Sequence, residues 1–353
     1  MGRRLLDIGL ISSRSGSYRW LAETARSGVR AAVQLINADP DAPVTIRIHE
    51  ADPAGRADCY GPCVDRLCRT TGLRHLFGAI TSASRKEVIP VLERHGATLW
   101  YGAPCEGFET ADSVAYMHST VNQNVLPLLD WALPALGRRA FLAGSNYVWG
   151  WEIARVARMQ VTAAGGEILG DRTVALGDTD VAALADEVRN AAPDFVLNSL
   201  VGESQYAFLR ALRQHGCRIP VLSCNFTEAE VLAVGDAAEG LISVGPYFAG
   251  VGPAPIFANS FQRAAFLSVM TLVDLLGQPG SSDDMTLPQL LSGGYEPLDP
   301  ATHHRAHPVH IARVQRGRFN PILSLPMIEA DPYLSRPPTP GPAARRSHLQ
   351  VVR

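Results

Sequence analysis

The sequence is short of lysine, and it has no marked excess of either charge. Lys86 is the only lysine among 32 basic residues, and 34 acidic residues nearly balance them, leaving a formal net charge of −2. Proteins that bind nucleic acid directly usually carry a basic face or a basic arm. The balanced charge therefore argues against direct nucleic-acid binding.

Long apolar runs are also missing. No stretch approaches the roughly 20 apolar residues that a membrane-spanning helix needs. The N-terminus combines two arginines with a short apolar run, but Asp7 interrupts the run and no small-residue cleavage site follows it. We expect this run to form the first core strand, which predicts a cytoplasmic protein. A periplasmic or cell-envelope location is the alternative if a leader is missing.

The motifs of common catalytic and cofactor sites are absent as well. The sequence has no GxSxG nucleophile elbow, no glycine-rich phosphate loop and no paired carboxylates typical of hydrolases. The six cysteines include no CxxC pair, so we expect buried thiols rather than zinc ligands or disulfides. We therefore predict a protein that is not an enzyme and that holds no metal or cofactor.

Four histidines near the C-terminus deserve a separate interpretation: His303, His304, His307 and His310. Two of them could share a helix face and form a metal site. Pro308 interrupts a regular helix, and no carboxylate lies at a suitable spacing. We expect a solvated loop here.

Apolar segments alternate between strand-like and helix-like spacing along most of the chain. Strands are predicted at 7–11 and 44–49, with an amphipathic helix at 21–37 between them. A second series of strands and helices runs from 140 to 244. Such alternation is typical of parallel sheets with helices on both faces. The sequence thus predicts an α/β fold of two doubly wound lobes around a cleft.

The stretch from residue 78 to residue 109 is the centre of the functional prediction. It contains a strand end, a hydroxyl-rich turn, a helix and a second strand at 98–101. Free N–H groups at the helix start, together with the Ser82 hydroxyl, can bind a carbonyl or carboxylate oxygen. Neighbouring parallel strands would bring Ser82 and Tyr101 to the sheet edge where open α/β folds bind ligands.

The same stretch carries a family resemblance. It reads SxxRKxVxPVxER at 82–94, then Tyr101, Pro104 and EGFE at 106–109, and shorter matches keep the family order to about residue 333. On these residues the chain resembles the amide- and urea-binding branch of the type I periplasmic binding proteins. Within that branch it is most similar to the amide-responsive regulators of aliphatic amidase expression (AmiC type). The resemblance implies the type I periplasmic-binding-protein fold.

Candidate ligand residues come from this resemblance and from predicted strand ends. They are Ser82, Tyr101, Pro104, Tyr147, Trp149, Ile80, Ala103, Asn225 and Phe226. Trp149, Ile80 and Ala103 stand where the family has a tyrosine, an aromatic residue and a threonine, so a less polar pocket is expected. The alternatives are helix capping for Ser82 and core packing for each aromatic residue. Either Asn225 or Phe226 could reach the cleft, because the end of the preceding strand is predicted only to within one residue.

The polypeptide is predicted to cross from one lobe to the other near residues 120, 248 and 295. The N-terminal lobe would then comprise 1–119 and 249–295, and the C-terminal lobe 120–248 and 296–334. The proline-rich tail, 335–353, is expected to be disordered. Compared with the family, the chain is shorter before Phe257 and again around 297–303. We therefore expect that the lobes need not close around a ligand in the way that they do in the family.

The resemblance implies a non-catalytic sensor that binds a small amide or related ligand between two lobes. In the family, such a sensor regulates amidase expression through an RNA-binding antiterminator protein, which would be the partner here. A homo-oligomer is a further expectation. The alternative is the solute-binding component of an ABC importer for amides, urea or branched-chain amino acids.

Overall fold

A computed structural model describes residues 3–251 and 257–335, and its first half is built on a five-stranded parallel sheet. The strand order is β2-β1-β3-β4-β5. The strands are β1 (Arg4–Ile11), β2 (Val44–Ala51), β3 (His75–Gly78), β4 (Thr98–Tyr101) and β5 (Val114–Tyr116). The connecting helices are α1 (Arg19–Ala38), α2 (Tyr60–Thr71) and α3 (Ser82–His95).

A second sheet of seven strands follows, in the order β12-β11-β10-β9-β8-β6-β7. Its parallel strands are β6 (Arg139–Ser145), β7 (Glu167–Val174), β8 (Phe195–Ser199), β9 (Val221–Ser223) and β10 (Ile242–Gly245). The helices of this half are α4 (Val125–Leu136), α5 (Val148–Ala163), α6 (Ala182–Ala191), α7 (Glu203–Gln214) and α8 (Glu228–Val234). The alternation of strands and helices that the sequence predicts is confirmed.

After β10 the chain returns to the first sheet and then leaves it again. Helices α9 (Ser260–Leu276) and α10 (Leu287–Leu291) come first, followed by the antiparallel strands β11 (His307–Gln315) and β12 (Arg318–Ile328). Helix α9 packs so closely on α1 that a Cβ added to Gly28 would lie 2.2 Å from the carbonyl oxygen of Gln262. The shortening predicted before Phe257 lies largely outside the described residues, as does the tail after Ser335.

The histidine group is not a solvated loop, contrary to the expectation. His303, His304 and His307 are at most 2% exposed, and the ring of His304 stacks on Tyr116 at 4.0 Å. Burial lowers the pKa of His304 to about 4, so the ring is neutral at physiological pH. The hairpin of β11 and β12, which sequence reasoning missed, carries His307 into the core. Among the described residues, no cluster of side chains could hold a metal ion.

The prediction of buried cysteine thiols without disulfides agrees with the structure. All six cysteines are free, and five of them are buried; only Cys59 is partly exposed. They pack as small apolar side chains, as free cysteine commonly does. No helix within the described ranges is long and apolar enough to cross a membrane.

Candidate functional site

A narrow cavity of about 20 Å³ lies between the two sheets. Loops that follow strands at the carboxyl edges of both sheets form most of its wall, and the first turns of α1 and α9 complete it. The lining residues are Leu21, Ile80, Thr81, Ser82, Tyr101, Pro104, Tyr147, Trp149, Val201, Asn225 and Phe261. The position agrees with the rule that open α/β folds bind ligands outside the carboxyl ends of their strands.

Seven of the nine sequence-predicted residues line this cavity: Ile80, Ser82, Tyr101, Pro104, Tyr147, Trp149 and Asn225. Ala103 and Phe226 do not. Phe226 is buried in the core of the second sheet, where its ring meets Phe319 at 6.4 Å. Ala103 is likewise buried in the core of the first sheet. The open register after β9 is thus resolved with Asn225, not Phe226, at the cavity.

Four of the lining residues were not predicted from the sequence. Thr81 and Val201 follow β3 and β8, and the strand-end argument used for Ser82 could have found them. Leu21 and Phe261 begin α1 and α9. Their place at the cavity depends on packing between segments far apart in sequence, for which the chain carries no local signal.

The start of α3 has free backbone N–H groups that can bind an oxygen atom. Thr81 caps the helix, because its hydroxyl accepts from the backbone N–H of Ser84 at 3.2 Å, and the Ser84 hydroxyl accepts from the N–H of Thr81 at 3.1 Å. Ser82 is therefore not the cap. The backbone N–H groups of Ser82 and Ala83 have no hydrogen-bond partner among the described residues. Two free donors remain at the positive end of a 14-residue helix.

The charged residues of the family motif form one buried network behind this helix start. The Arg85 guanidinium is fully buried and donates to Glu106 at 2.8 Å and to Glu109 at 2.6 Å. It lies over the ring of Tyr101, 4.7 Å from its centroid. Burial alone would raise the pKa of Glu109, but the Arg85 charge and hydrogen bonds outweigh it and hold that pKa at about 2. The network joins the first turn of α3 to the loop after β4.

Most polar groups around the cavity are already used within the protein. The Ser82 hydroxyl donates to Glu106 at 2.6 Å, and the Trp149 indole N–H donates to the Ser199 carbonyl at 3.1 Å. The Asn225 amide donates to the Leu200 carbonyl at 2.9 Å. These bonds fix the side chains and leave little freedom for them to turn toward a ligand.

Tyr147 is the exception. Its hydroxyl has no hydrogen-bond partner among the described residues, and the side chain lines the cavity. Burial raises the pKa of Tyr147 well above its ordinary value, so the hydroxyl stays neutral and can donate. The cavity thus offers free donors on two lining residues, the Tyr147 hydroxyl and the Ser82 backbone N–H, within a wall that is otherwise largely apolar.

The two halves touch at the rim of the cavity. The Glu203 backbone N–H donates to the Ser17 carbonyl at 3.1 Å, which joins the start of α7 to the loop before α1. A second contact places the Arg155 guanidinium 4.2 Å from the ring of Phe108. The structure therefore shows the cavity with its two walls in contact.

Comparisons with known proteins identify the same architecture. A family model described as a periplasmic binding protein domain matches residues 6–266. The solute-binding protein of an ABC transporter from R. palustris, solved with benzoate, has a TM-score of 0.82 and 18% sequence identity, covering 94% of this chain and 98% of that one.

Two further solved structures are similar. The branched-chain amino acid transporter substrate-binding protein LivJ from Streptococcus pneumoniae, solved with isoleucine, has a TM-score of 0.81 and 16% identity, covering 93% of this chain and 100% of that one. A periplasmic binding protein from Burkholderia mallei has a TM-score of 0.80 and 16% identity, covering 92% and 96%. At these identities the likeness shows the fold alone.

These findings confirm the predicted fold and correct the predicted location. The expectation of a cytoplasmic protein is wrong, because the matching family is one of periplasmic binding proteins and the similar structures are solute-binding proteins of transporters. Proteins of this family bind ligands without catalysing a reaction, as the sequence predicts for this chain.

Proposed function

We propose that this chain, which belongs to the periplasmic binding protein domain family, is the solute-binding component of an ABC importer for a small organic ligand with a carbonyl group. One observation carries the proposal: the free N–H group of Ser82 and the free hydroxyl of Tyr147 belong to residues that line one cavity with a largely apolar wall, and the free N–H group of Ala83 follows in the first turn of α3. The transporter proteins among the similar structures support the importer over a regulator.

The geometry supports one binding mode. A carbonyl oxygen at the start of α3 would accept from the backbone N–H groups and from Tyr147. The apolar part of the ligand would then contact the rings of Tyr101 and Trp149 and the side chain of Ile80. Few directed hydrogen bonds and aromatic walls are typical of small-molecule sites, but such sites are larger than this cavity, so its walls must part to admit the ligand.

The lining also discriminates among ligand classes. No charged side chain belongs to it within the described ranges, so the ammonium group of an amino acid would be buried without a carboxylate partner. Burying an unpaired charge is strongly unfavourable. We therefore propose a neutral or singly anionic ligand, of which benzoate in the R. palustris protein is one example, over a branched-chain amino acid.

A second candidate is the amide-responsive regulator that acts through an antiterminator protein. The observation that favours it is the structure of the motif stretch, in which Ser82, Arg85, Glu106 and Glu109 form one continuous buried network. Neighbouring genes separate the candidates: permease and ATPase genes favour the importer, whereas amidase and antiterminator genes favour the regulator. A homo-oligomer belongs to this second proposal.

We also propose the lobe division given above, with 1–119 and 249–295 in one lobe and 120–248 and 296–334 in the other. The membership of the strands supports it, because all strands up to Tyr116 belong to the first sheet and all strands from Arg139 onward to the second. The packing of α9 on α1 supports the return between residues 249 and 295.

Calorimetric titration with urea, acetamide, butyramide, benzamide and isoleucine tests the proposed ligand class. We expect benzamide or butyramide to bind most tightly, because each combines a carbonyl oxygen with an apolar body. Urea should bind weakly, since it offers no apolar surface, and isoleucine should bind weakly, since its ammonium group finds no partner. Isoleucine or urea as the tightest ligand would refute the proposed class.

A further inference from the structure

Glu106 is a buried carboxylate whose two oxygens each have one donor. The side chain is 1% exposed; Oε1 accepts from Nη2 of Arg85 at 2.8 Å, and Oε2 accepts from the Ser82 hydroxyl at 2.6 Å. Arg85 is itself fully buried, so the carboxylate cannot turn to other partners without breaking an ion pair. Glu106 itself is not part of the cavity lining.

This arrangement determines what Ser82 can offer to a ligand. A serine hydroxyl has one hydrogen and two lone pairs. Because the hydrogen is directed at Glu106, only a lone pair of Oγ remains for the cavity. Turning the hydrogen toward a ligand would leave a buried carboxylate oxygen without a donor, which is unfavourable. Ser82 is therefore held as a hydrogen-bond acceptor.

An acceptor at this position distinguishes two ligands of nearly the same shape. With one oxygen on the N–H groups of α3, a carboxylate would direct its second oxygen at the Ser82 lone pair, so that two hydrogen-bond acceptors would face each other. A carboxamide would direct an NH₂ group there and donate. Sites built around a hydrogen bond reject an analogue that lacks the matching group.

We propose that Glu106 is a positioning residue that acts through Ser82 and makes the cavity favour a carboxamide over the matching carboxylate. The inference rests on the proposed binding mode at the start of α3. It assigns a specificity role to a residue that does not touch the ligand.

The experiment measures the ratio of the dissociation constants for two matched pairs, benzamide with benzoate and butyramide with butyrate. The wild-type protein should prefer each amide at least tenfold. In Glu106→Gln, the amide oxygen of the glutamine accepts from Arg85, because the guanidinium can only donate. The glutamine NH₂ group therefore faces Ser82 and donates to its Oγ, which frees the serine hydrogen for the ligand. The preference for amides should fall at least tenfold.

Glu109→Gln is the matched control. It removes one negative charge from the same Arg85 network, but Glu109 makes no contact with Ser82. The amide preference should therefore stay within twofold of wild type. Glu106→Ala, which also frees the Ser82 hydroxyl, provides a second variant should Glu106→Gln fail to fold, and thermal melting monitors folding of all three.

The outcomes separate the inference from the proposed function. A wild-type preference for the carboxylates, or an unchanged ratio in folded Glu106 variants, overturns the role of Glu106 while ligand binding stands. An equal shift in Glu109→Gln also overturns it, because charge alone would then explain the change. Absence of binding by either member of both pairs contradicts the proposed ligand class itself.

Discussion

The Tyr147 hydroxyl is the side-chain donor that the cavity leaves free. Neighbouring polar side chains are committed to protein partners: Trp149 to Ser199, Asn225 to Leu200 and Ser82 to Glu106. Such commitment fixes the shape of the wall before a ligand arrives, which lowers the entropic cost of binding. The energetic contribution of Tyr147 can therefore be measured with little interference from its neighbours.

Tyr147→Phe should weaken binding of the tightest amide about tenfold, because one hydrogen bond contributes roughly 1–1.5 kcal/mol. The melting temperature should stay near that of wild type, since the hydroxyl has no protein partner to lose. Tyr206→Phe is the matched control, because Tyr206 is a buried tyrosine in the core of the second sheet and not at the cavity. Calorimetry with equal losses in both variants would contradict the assignment of Tyr147.

Glu230 predicts a pH dependence of stability. The side chain is fully buried at the start of α8, where it accepts from the Thr227 backbone N–H at 2.7 Å. Burial raises the pKa of Glu230 to about 8, so the folded protein holds a proton that the unfolded chain releases near its ordinary value. Stability from this group is present at low pH and is lost as the pH rises through 8.

Between pH 7 and pH 9 the wild-type protein should lose about 1.4 kcal/mol of unfolding free energy more than Glu230→Gln, whose amide oxygen can still accept from Thr227. Denaturant unfolding at several pH values measures the difference. Glu87→Gln, an exposed position on α3, is the control and should follow wild type. Parallel pH profiles for wild type and Glu230→Gln would contradict a raised pKa.

At the site, sequence reasoning reached those residues that follow strands directly. Ser82, Tyr101 and Tyr147 were found because strand ends in a parallel sheet share one edge. The hydrogen bond from the Ser82 hydroxyl to Glu106 was not predicted, because Glu106 lies 24 residues away along the chain. Phe226 was misplaced because one residue of register exchanges the two sides of a chain segment.

Among the elements, the starts of α3 and α7 have the clearest functional consequences. The start of α3 has two free N–H groups, and one of them belongs to Ser82 in the cavity wall, whereas the start of α7 contacts the loop before α1. Gly202 precedes α7 with a φ of +64°, and a Cβ added there would lie 2.0 Å from the Ser17 carbonyl oxygen. The rim contact between the two halves therefore requires glycine at this position.

Gly202→Ala should weaken ligand binding at least tenfold, because the added methyl group prevents the rim from closing over the ligand. Gly235→Ala is the matched control: its φ of +67° imposes a similar backbone penalty, but nothing lies within 4 Å of the added Cβ. Calorimetry compares affinity, and small-angle scattering with saturating ligand compares compactness. The same affinity in both variants would show that the rim contact has no part in binding.

Local pattern predicted most elements but not the final hairpin. The strand at 98–101 is confirmed as β4, a short run in which Leu99, Trp100 and Tyr101 follow one another directly and Gly102 ends the run. Strands β11 and β12 were missed, and the histidines of this region were misread as solvated. Histidine gives no apolar periodicity, and the burial of His307 involves a residue far away in sequence, His118, whose ring centroid lies 6.3 Å from its own.

For the whole molecule, the two sheets and the cavity between them suggest how a ligand signal is produced. The rim contacts exist in the structure together with a narrow cavity, so the closed arrangement is accessible to the polypeptide. A ligand stabilises that arrangement only to the extent that it binds it better than an open one. Groups from both halves line the cavity, so a ligand bound there would contact both halves and favour the closed arrangement.

The most direct test of the central claim, that this cavity is the ligand site, is a crystal structure with benzamide. We expect the ligand between Tyr101 and Trp149, with its carbonyl oxygen within hydrogen-bond distance of the Ser82 and Ala83 N–H groups and of the Tyr147 hydroxyl. Its NH₂ group should face Oγ of Ser82. Benzamide bound elsewhere, or a cavity left without ligand at saturating concentration, would contradict the account.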